Sequence, residues 1–471
     1  MSRSWRRFGI AVLAAASCVG CAVSSRPGTQ GPGVSPEAAL VYVYLDVPGD
    51  STLRSLRLED AALVRGDGTL EPLPVLLAAV GRGRAGEARL VARGGVPAGS
   101  FDALALRVSS SGAGSGGPQD ARPTRGDELR APISLATRAR GAVVIEARLV
   151  ERPASTEGGA SVRALEARVA PYPTFGVMGL VSSATDDAVV ILDKRSGRVG
   201  AVARTGRSPA GLAIDAERRR GYVVTTKDDG VSILDLDQGA VTTTRALRMG
   251  DEPVAVEIVP GERSLLVVNR GSGTLAFVES EGLAESERVT IGGAPTDVAI
   301  DRQGVRAYVF NSLGSTVTVV DLRARQVVGT VAVDSGPIRG QLNRAQDRLW
   351  VLHDGVPVLT CIDTRTLAVV ERLHLAATAT ALRLDPATDR IYVARRDGSG
   401  MDAYDPRLLL PVETLPLAGR AEYLGLDAET RVFGAALDGD DRVEAVGTIR
   451  KSRVWSADVR GPVFVRFVGE R

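Results

Sequence analysis

From about residue 37 onward, apolar and polar residues alternate along the chain in short runs separated by Gly, Asp, Asn and Pro. Period-two alternation broken by turn residues predicts strands, and no window sustains an amphipathic helix. The pattern also repeats. "AYVFNSLGSTVTVVD", Ala307 to Asp321, is two apolar runs joined by a polar turn and closed by a carboxylate. Placing that closing position in register gives Asp193, Asp235, Glu279, Asp321, Asp363, Asp405 and, by spacing, Gly447, at steps of 42 or 44 residues. Thirteen residues earlier stands a second column: Leu180, Tyr222, Leu266, Tyr308, Trp350, Tyr392 and Gly434. Its bulk marks a buried position in the preceding strand. A third column is Pro209, Pro253, Pro295 and Pro337, continued by Ala379 and Ala421. Proline there starts a strand, where its missing N–H costs little. Each repeat thus reads as four strands: "PTDVAI" innermost, then "RAYVFN", "TVTVVD" and "QVVGTVAV" outermost. Four strands in roughly 40–45 residues is the signature of a β-propeller.

Before the array the texture differs. Between residues 37 and 171, "ALVYVYLDV", "SLRLEDAALV", "EARLVAR", "FDALALRVSS" and "GAVVIEARLV" alternate without a fixed period. They predict a small antiparallel β-sandwich. "VPAGSFDALALRV", with the apolar "PVLLAAV" before it, is similar to a segment of a bacterial envelope sandwich family, Phe101 standing where that family has Tyr. The insert "SSSGAGSGGPQDARPTRGD" reads as a surface loop. "GRGRAG", Gly81 to Gly86, satisfies G-x-G-x-x-G. The strand-like "EARLVARGG" that follows lacks the helix a pyrophosphate needs, so it reads as a loop between strands.

The repeats resemble the YVTN family of β-propeller repeats in "YVFNSLGSTVTVVDLRARQVVGTVAVDSGP". The shared pattern is Y-V-T-N, then a V-x-V-I-D strand, then G-x-x-P. The resemblance runs from about Phe175 to the end and is best in the second to fifth repeats. The sixth and seventh lack the Gly-x-x-P turn. The first repeat, "FGVMGLVSSATDDAVVILDKRSGRVGAVAR", has no inner strand, while "GPVFVRFV", Gly461 to Val468, is an inner strand with nothing after it. Together they complete one blade. The expected fold is therefore all-β, a seven-bladed β-propeller over 172–471 preceded by the sandwich over 37–171. Closure of this kind leaves no open sheet edge between the first and last blades.

The start of the chain is an address. "MSRSWRRFGIAVLAAASCVGCAVSS" joins a basic end (Arg3, Arg6, Arg7) to a short apolar stretch and small residues, the layout of a signal peptide over 1–21. "CVGC" resembles a bacterial lipobox, which implies lipidation at Cys21, with Cys18 as the competing position. Residues 22–36 are rich in Ser, Gly and Pro and read as a tether. Ala22, by analogy with Gram-negative lipoproteins, points to the outer membrane. Beyond Cys21 the only cysteine is Cys361, in the strand-like "VLTCID", which excludes an intramolecular disulfide in the mature chain.

Composition narrows the function. Charged residues make up 24% and the formal net charge is +2, so no bulk field favours nucleic acid. Lys194, Lys227 and Lys451 are the only lysines, and the arginine bias reads as codon usage of a GC-rich genome. His353 falls in the column Ser183, Thr225, Asn269, Asn311, His353, Arg395 and Leu437, a repeat variant at a turn. His374 lies in an outer strand. Two separated histidines build no His-rich metal site, and H-E-x-x-H, G-x-S-x-G and Walker motifs are missing from the sequence. "ATDDAV", "TKDDGV" and "LDGDDRV" share one hairpin position, where turn chemistry accounts for them better than calcium. No cofactor or metal is expected. The expected function is a non-enzymatic envelope lipoprotein, monomeric and membrane-bound only through its lipid, that binds a protein, peptide or glycan. The alternative is an envelope enzyme on the same ring, a lactonase-like hydrolase or a quinone-dependent dehydrogenase.

Counting from the proline column, the second and fourth inner-strand positions are the small or polar ones. Asp297, Arg339 and Tyr423 occupy the second, and Glu257, Gln341 and Arg383 the fourth. They are expected at the mouth and wall of the central channel, either as structural ion pairs or as a polar pocket. Arginine there would suit a carboxylate, an acidic sugar or an acidic peptide side chain.

Overall fold

A computed structural model describes residues 37–47, 55–81, 87–110, 127–152, 162–437 and 439–470. The signal peptide with Cys18 and Cys21, the tether, nearly all of "GRGRAG" and most of the Ser/Gly-rich insert lie outside the described residues. What is described is all β apart from two single-turn helices, Phe175–Val177 and Thr226–Asp228.

The first nine strands form two sheets. They are β1 (Ala39–Asp46), β2 (Ser55–Val64), β3 (Leu70–Leu73), β4 (Ala79–Gly81), β5 (Arg89–Val96), β6 (Gly99–Ser110), β7 (Asp127–Thr137), β8 (Ala142–Arg152) and β9 (Val162–Val169). One sheet has the order β5-β1-β8-β9, and the other runs β3-β2-β6-β7 with β4 paired to β2. Alternate residues of both, among them Val41, Val43, Leu45, Leu63, Leu104, Phe101 and Ile145, share one core. The wholly antiparallel expectation needs correction, because β1 pairs with β8 in parallel, Leu40 opposite Ala142 and Leu45 opposite Ala147. The two strands are far apart in sequence, so no hairpin dictates their direction. The other face of β1 is apolar too. Leu40, Tyr42 and Tyr44 join Met178, Leu180, Val199 and Trp455 in a second cluster, so this region and the array that follows share a core. Polar bonds fix the same joint. Tyr44 Oη donates to the Asp458 carbonyl at 2.9 Å, and Asp458 Oδ2 accepts from Arg89 Nε at 2.7 Å and Leu90 N at 3.0 Å.

From Met178 on, the described residues form seven four-stranded antiparallel sheets. We number them I to VII by their innermost strands: Pro462–Phe467, Pro209–Asp215, Pro253–Ile258, Pro295–Ile300, Pro337–Leu342, Ala379–Leu384 and Ala421–Asp427. Sheet IV is typical, continuing through Arg306–Asn311, Thr316–Asp321 and Gln326–Ala332. The carboxylate column ends the third strands, where it caps the turn. Asp321 Oδ1 accepts from Arg323 N at 2.9 Å and Ala324 N at 2.8 Å, and Asp193, Asp235, Asp363 and Asp405 do the same. This is the local acceptor role that keeps Asp at turns. The hairpin acids on the opposite face serve the chain as well. Asp187 accepts from Ser208 N, Asp229 from Gly250 N and Glu252 N, and Asp441 from Gly461 N.

Each inner strand packs against the next, and Pro462–Phe467 packs against both Pro209–Asp215 and Ala421–Asp427. That last strand pairs with Met178–Ser183, so sheet I is made from both ends of the array. Phe467 occupies the space that the Gly434 position leaves in the aromatic column. A Cβ at Gly434 would stand 2.6 Å from the Phe467 ring. Lys194, 4% exposed, adds a polar tie through Nζ to Asp427 Oδ1 at 2.9 Å and the Val468 carbonyl at 3.0 Å.

Candidate functional site

Proline and the residue before it set the geometry of the axis. Ser208, Glu252 and Ala294 have φ of 56°, 45° and 51°, and Gly336 completes the column at 68°. Immediately after each proline the pairing register shifts, as between Pro295 and Asp297 or Pro337 and Arg339. Such a bulge re-aims the side chains that follow it. The residues at the second and fourth positions after the proline consequently converge.

The structure brings Asp297, Arg339 and Tyr423 together at one layer. Arg339 Nε lies 2.8 Å from Asp297 Oδ2, and its Nη1 donates to the Glu422 carbonyl at 3.1 Å. Its guanidinium carbon stands 4.5 Å from the centre of the Tyr423 ring and 5.5 Å from that of Phe464. Those two rings stack with centroids 4.1 Å apart. One arginine of sheet V therefore touches sheets IV, VII and I. At the next layer Arg466 of sheet I pairs with Glu257 of sheet III. Arg383 Nη2 pairs with Glu470 Oε1 at 2.8 Å, and Gln341 Oε1 accepts from Leu384 N at 2.7 Å. Near the mouth, the half-exposed Arg420 and Glu422 pair at 2.6 Å.

The axial charges are buried or half-buried, so their energetics turn on pairing. Burial pushes the Glu257 carboxyl up, against the opposing pull of Arg466. Burial also works against the charge on Arg466, but Glu257, Tyr423 and Glu470 outweigh it and hold that guanidinium well above its ordinary value. The Tyr423 hydroxyl is pushed up by burial, with Arg466 pulling the other way. Arg339, Arg383 and Arg466 face Asp297, Glu257 and Glu470, so the described axial cluster is neutral and cross-links both neighbouring sheets, such as IV and V, and separated ones, such as I and III.

Sequence reasoning did not place Phe464, Arg466, Glu470, Arg420 or Glu422 in this site; the last two lie at the entry to the inner strand of sheet VII, outside the positions counted. Phe464 and Arg466 sit at the second and fourth positions after Pro462, so the same register finds them once the last strand is counted with the others. Glu470 lies beyond the strand, and no periodic signal marks it.

Away from the axis, His353 is fully buried, and its Nε2 lies 2.8 Å from Thr360 Oγ1. Thr360 donates to Asp334 Oδ2 at 2.7 Å, which also accepts from Arg372 Nε at 2.9 Å. Burial lowers the His353 pKa, with Asp334 opposing, so the ring is neutral near pH 7. Sheets IV and VI carry equivalent networks. Asn311 Nδ2 donates to Thr318 Oγ1 at 2.8 Å, and Arg395 holds Asp402, which accepts from Thr414. His353 is thus one variant of a polar brace inside a sheet. His374 ends the outer strand Ala368–His374 and is exposed. Cys361 is fully buried, and burial pushes its thiol up to about 12.

No family model and no curated protein matches the sequence. Solved structures do resemble it. Hydrazine synthase of Kuenenia stuttgartiensis aligns with a TM-score of 0.53 and 16% identity, over 58% of this chain and 93% of that one. The Cps50 (Swd1) β-propeller domain of Myceliophteria thermophila gives 0.50 and 13%, over 57% and 92%. Dihydro-heme d1 dehydrogenase NirN, in complex with DHE, gives 0.50 and 13%, over 64% and 77%. At these identities the likeness shows the fold alone, and the fold is a β-propeller.

Proposed function

We propose that this chain is a non-enzymatic cell-envelope lipoprotein that uses a seven-bladed, YVTN-type β-propeller as a binding or scaffold module. Its partner is an envelope protein, peptide or glycan. One observation carries the reading: the groups that chemistry would recruit are already engaged by the fold. His353 is hydrogen-bonded inside sheet V, and Cys361 is buried as a neutral thiol. Asp297, Glu257 and Glu470 are each paired with an arginine. Acid–base and nucleophilic catalysis need groups free to change charge or form bonds. Recognition needs only fixed donors and acceptors.

The contact point in this reading is the channel mouth on the proline side, where Asp297, Arg339 and Tyr423 form a floor beneath Arg420 and Glu422. Glu257, Gln341 and Arg383 support that floor from the layer below. A guanidinium held on an aromatic face and by a carboxylate has already lost its rotamer freedom, which favours binding. A ligand carboxylate could be held there only through bidentate hydrogen bonds from Arg420 or Arg339 in competition with Glu422 and Asp297, so geometry rather than net charge selects an acidic ligand.

A peptide and glycan array probed with the mature protein tests this. Arg420→Gln combined with Glu422→Gln should lower affinity for the captured acidic ligand at least tenfold, with melting unchanged. Arg263→Ala, on the opposite face, should do nothing. Turnover of a lactone or quinone-linked substrate by the purified chain would overturn the non-enzymatic reading. The anchor is tested separately: Cys21→Ala should release the protein from outer membranes. Retention of that variant, with release by Cys18→Ala instead, would move the lipid to Cys18.

A further inference from the structure

The segment that joins the N-terminal sheets to the propeller, Pro171 to Val177, crosses the face opposite the proline turns. Glycines set its path. A Cβ at Gly200 would stand 2.5 Å from Pro173, and one at Gly239 would stand 2.5 Å from the Tyr172 ring. Tyr172 Oη donates to the Leu236 carbonyl at 2.7 Å, which pins the ring. Between this strap and the turns of sheet II lies an open cleft of about 540 Å³, lined by Tyr172, Pro173, Phe175, Met178, Arg219 and Asp237 among others.

The cleft is open, and polar and apolar groups share its lining about equally, which suits a hydroxylated ligand better than an apolar one. Its polar groups are held in place. Arg219 Nη1 lies 2.8 Å from Asp237 Oδ1, and its guanidinium carbon stands 5.1 Å from the centre of the Phe175 ring. Both charged side chains are more than half exposed, so the pair adds little to stability. It does present a planar donor and a planar acceptor side by side, with the guanidinium over the Phe175 ring.

We propose that this cleft is a carbohydrate-binding site that takes a neutral pyranose, independent of the channel mouth. Vicinal hydroxyls of a sugar both accept from a guanidinium and donate to a carboxylate, so each half of the pair is used. The C–H face of the sugar rests on the part of Phe175 and Tyr172 that Arg219 and Gly239 leave uncovered. An anionic ligand would meet Asp237 beside Arg219 and gain no net charge attraction. A poly-proline peptide offers carbonyl acceptors only, bringing no new donor to Asp237, and the Tyr172 hydroxyl that would serve such a peptide is spent on Leu236.

Gly176 supplies a clean test. It is exposed, and a Cβ built there meets nothing within 4 Å. Gly176→Trp should therefore fill the cleft without disturbing the fold. The mature chain would be run by affinity electrophoresis through gels containing starch, β-glucan, xylan or mannan. Retardation by at least one of these is expected. Gly176→Trp should abolish it, and Asp237→Asn and Phe175→Ala should each weaken it at least tenfold, with melting temperatures unchanged for Gly176→Trp and Asp237→Asn. Retardation by none of the four polymers overturns the proposal. So does retardation that survives Gly176→Trp, or that is lost instead in the Arg420 and Glu422 variant, which would place the sugar at the mouth. Binding of a poly-proline peptide or an anionic polysaccharide that Gly176→Trp blocks, with no neutral polymer bound, overturns the ligand class.

Discussion

Replacing Phe467 by Ala should be among the most costly single changes in the propeller. The ring is 1% exposed and lies against Gly434 of sheet VII and Gly179 of its own sheet, where a Cβ would come within 2.6 Å and 3.0 Å of it. A phenylalanine side chain buries about 150–250 Å², worth about 4–6 kcal/mol at about 25 cal/mol per Å². Part of that area is already hidden in the unfolded chain, and Phe→Ala changes in cores cost about 3–5 kcal/mol. A loss of about 4 kcal/mol is therefore expected in a urea titration at pH 7. The buried Trp350 and Trp455 supply the fluorescence signal. The partner positions make the test specific. Gly434→Leu in the native background must displace the ring and should cost about 1–3 kcal/mol. In the Phe467→Ala background the same change fills the void and should restore stability. The double-mutant cycle should then show a coupling of more than about 1 kcal/mol. A loss below about 1 kcal/mol for Phe467→Ala, or a Gly434→Leu change equally harmful in both backgrounds, would refute the claim that the last strand supplies the aromatic missing from sheet VII.

Deleting the chain from Gly461 removes Phe464, Arg466 and Glu470 together with the pairing to Met178–Ser183, and should cost several kcal/mol of burial. A truncated protein melting within about a degree of the full chain in a thermal scan would contradict that. Asp251 is 1% exposed and accepts from Arg288 Nη1 at 2.6 Å. Burial alone would raise its carboxyl, but the bonds from Arg288 and Ser272 prevail and hold it below the usual range. Its contribution is thus present above the unfolded value of about 3.9 and is lost as pH falls through the lower folded value. Asp251→Asn should cost about 3 kcal/mol at pH 7, since it uncouples a buried pair. In urea titrations at two pH values that gap should shrink towards pH 2.5, and an equal gap at both would exclude the linkage. Cys361, with its thiol pushed up to about 12 and no exposure, should not react with DTNB in the native protein and should react fully in urea. Rapid native labelling of Cys361 would mean that sheet V opens readily.

The repeat made much of the propeller legible. The columns ending at Asp321, bulky at Tyr308 and starting at Pro295 are the end, centre and beginning of strands, because a side chain's place in a four-stranded sheet is set by local alternation and turn chemistry. The same register puts Asp297, Arg339 and Tyr423 in one layer. It does not say which charge meets which. Arg339 reaches three other sheets, and Arg466 finds Glu257 two sheets away, because ring packing brings together residues that no spacing along the chain relates. The N-terminal sheets were legible as strands but not in direction, since a parallel pair such as β1 with β8 leaves no hairpin to read. The cleft at Phe175 and Arg219 had no signal at all. Its walls come from a connecting segment and two turns, and only the packing of that segment across sheet II makes them face one another. Sequence determined each strand because strand formation is a local balance of alternation, turns and burial. Tertiary structure decided the sites because a site is a meeting of side chains, and which of them meet depends on how whole sheets close around a shared axis.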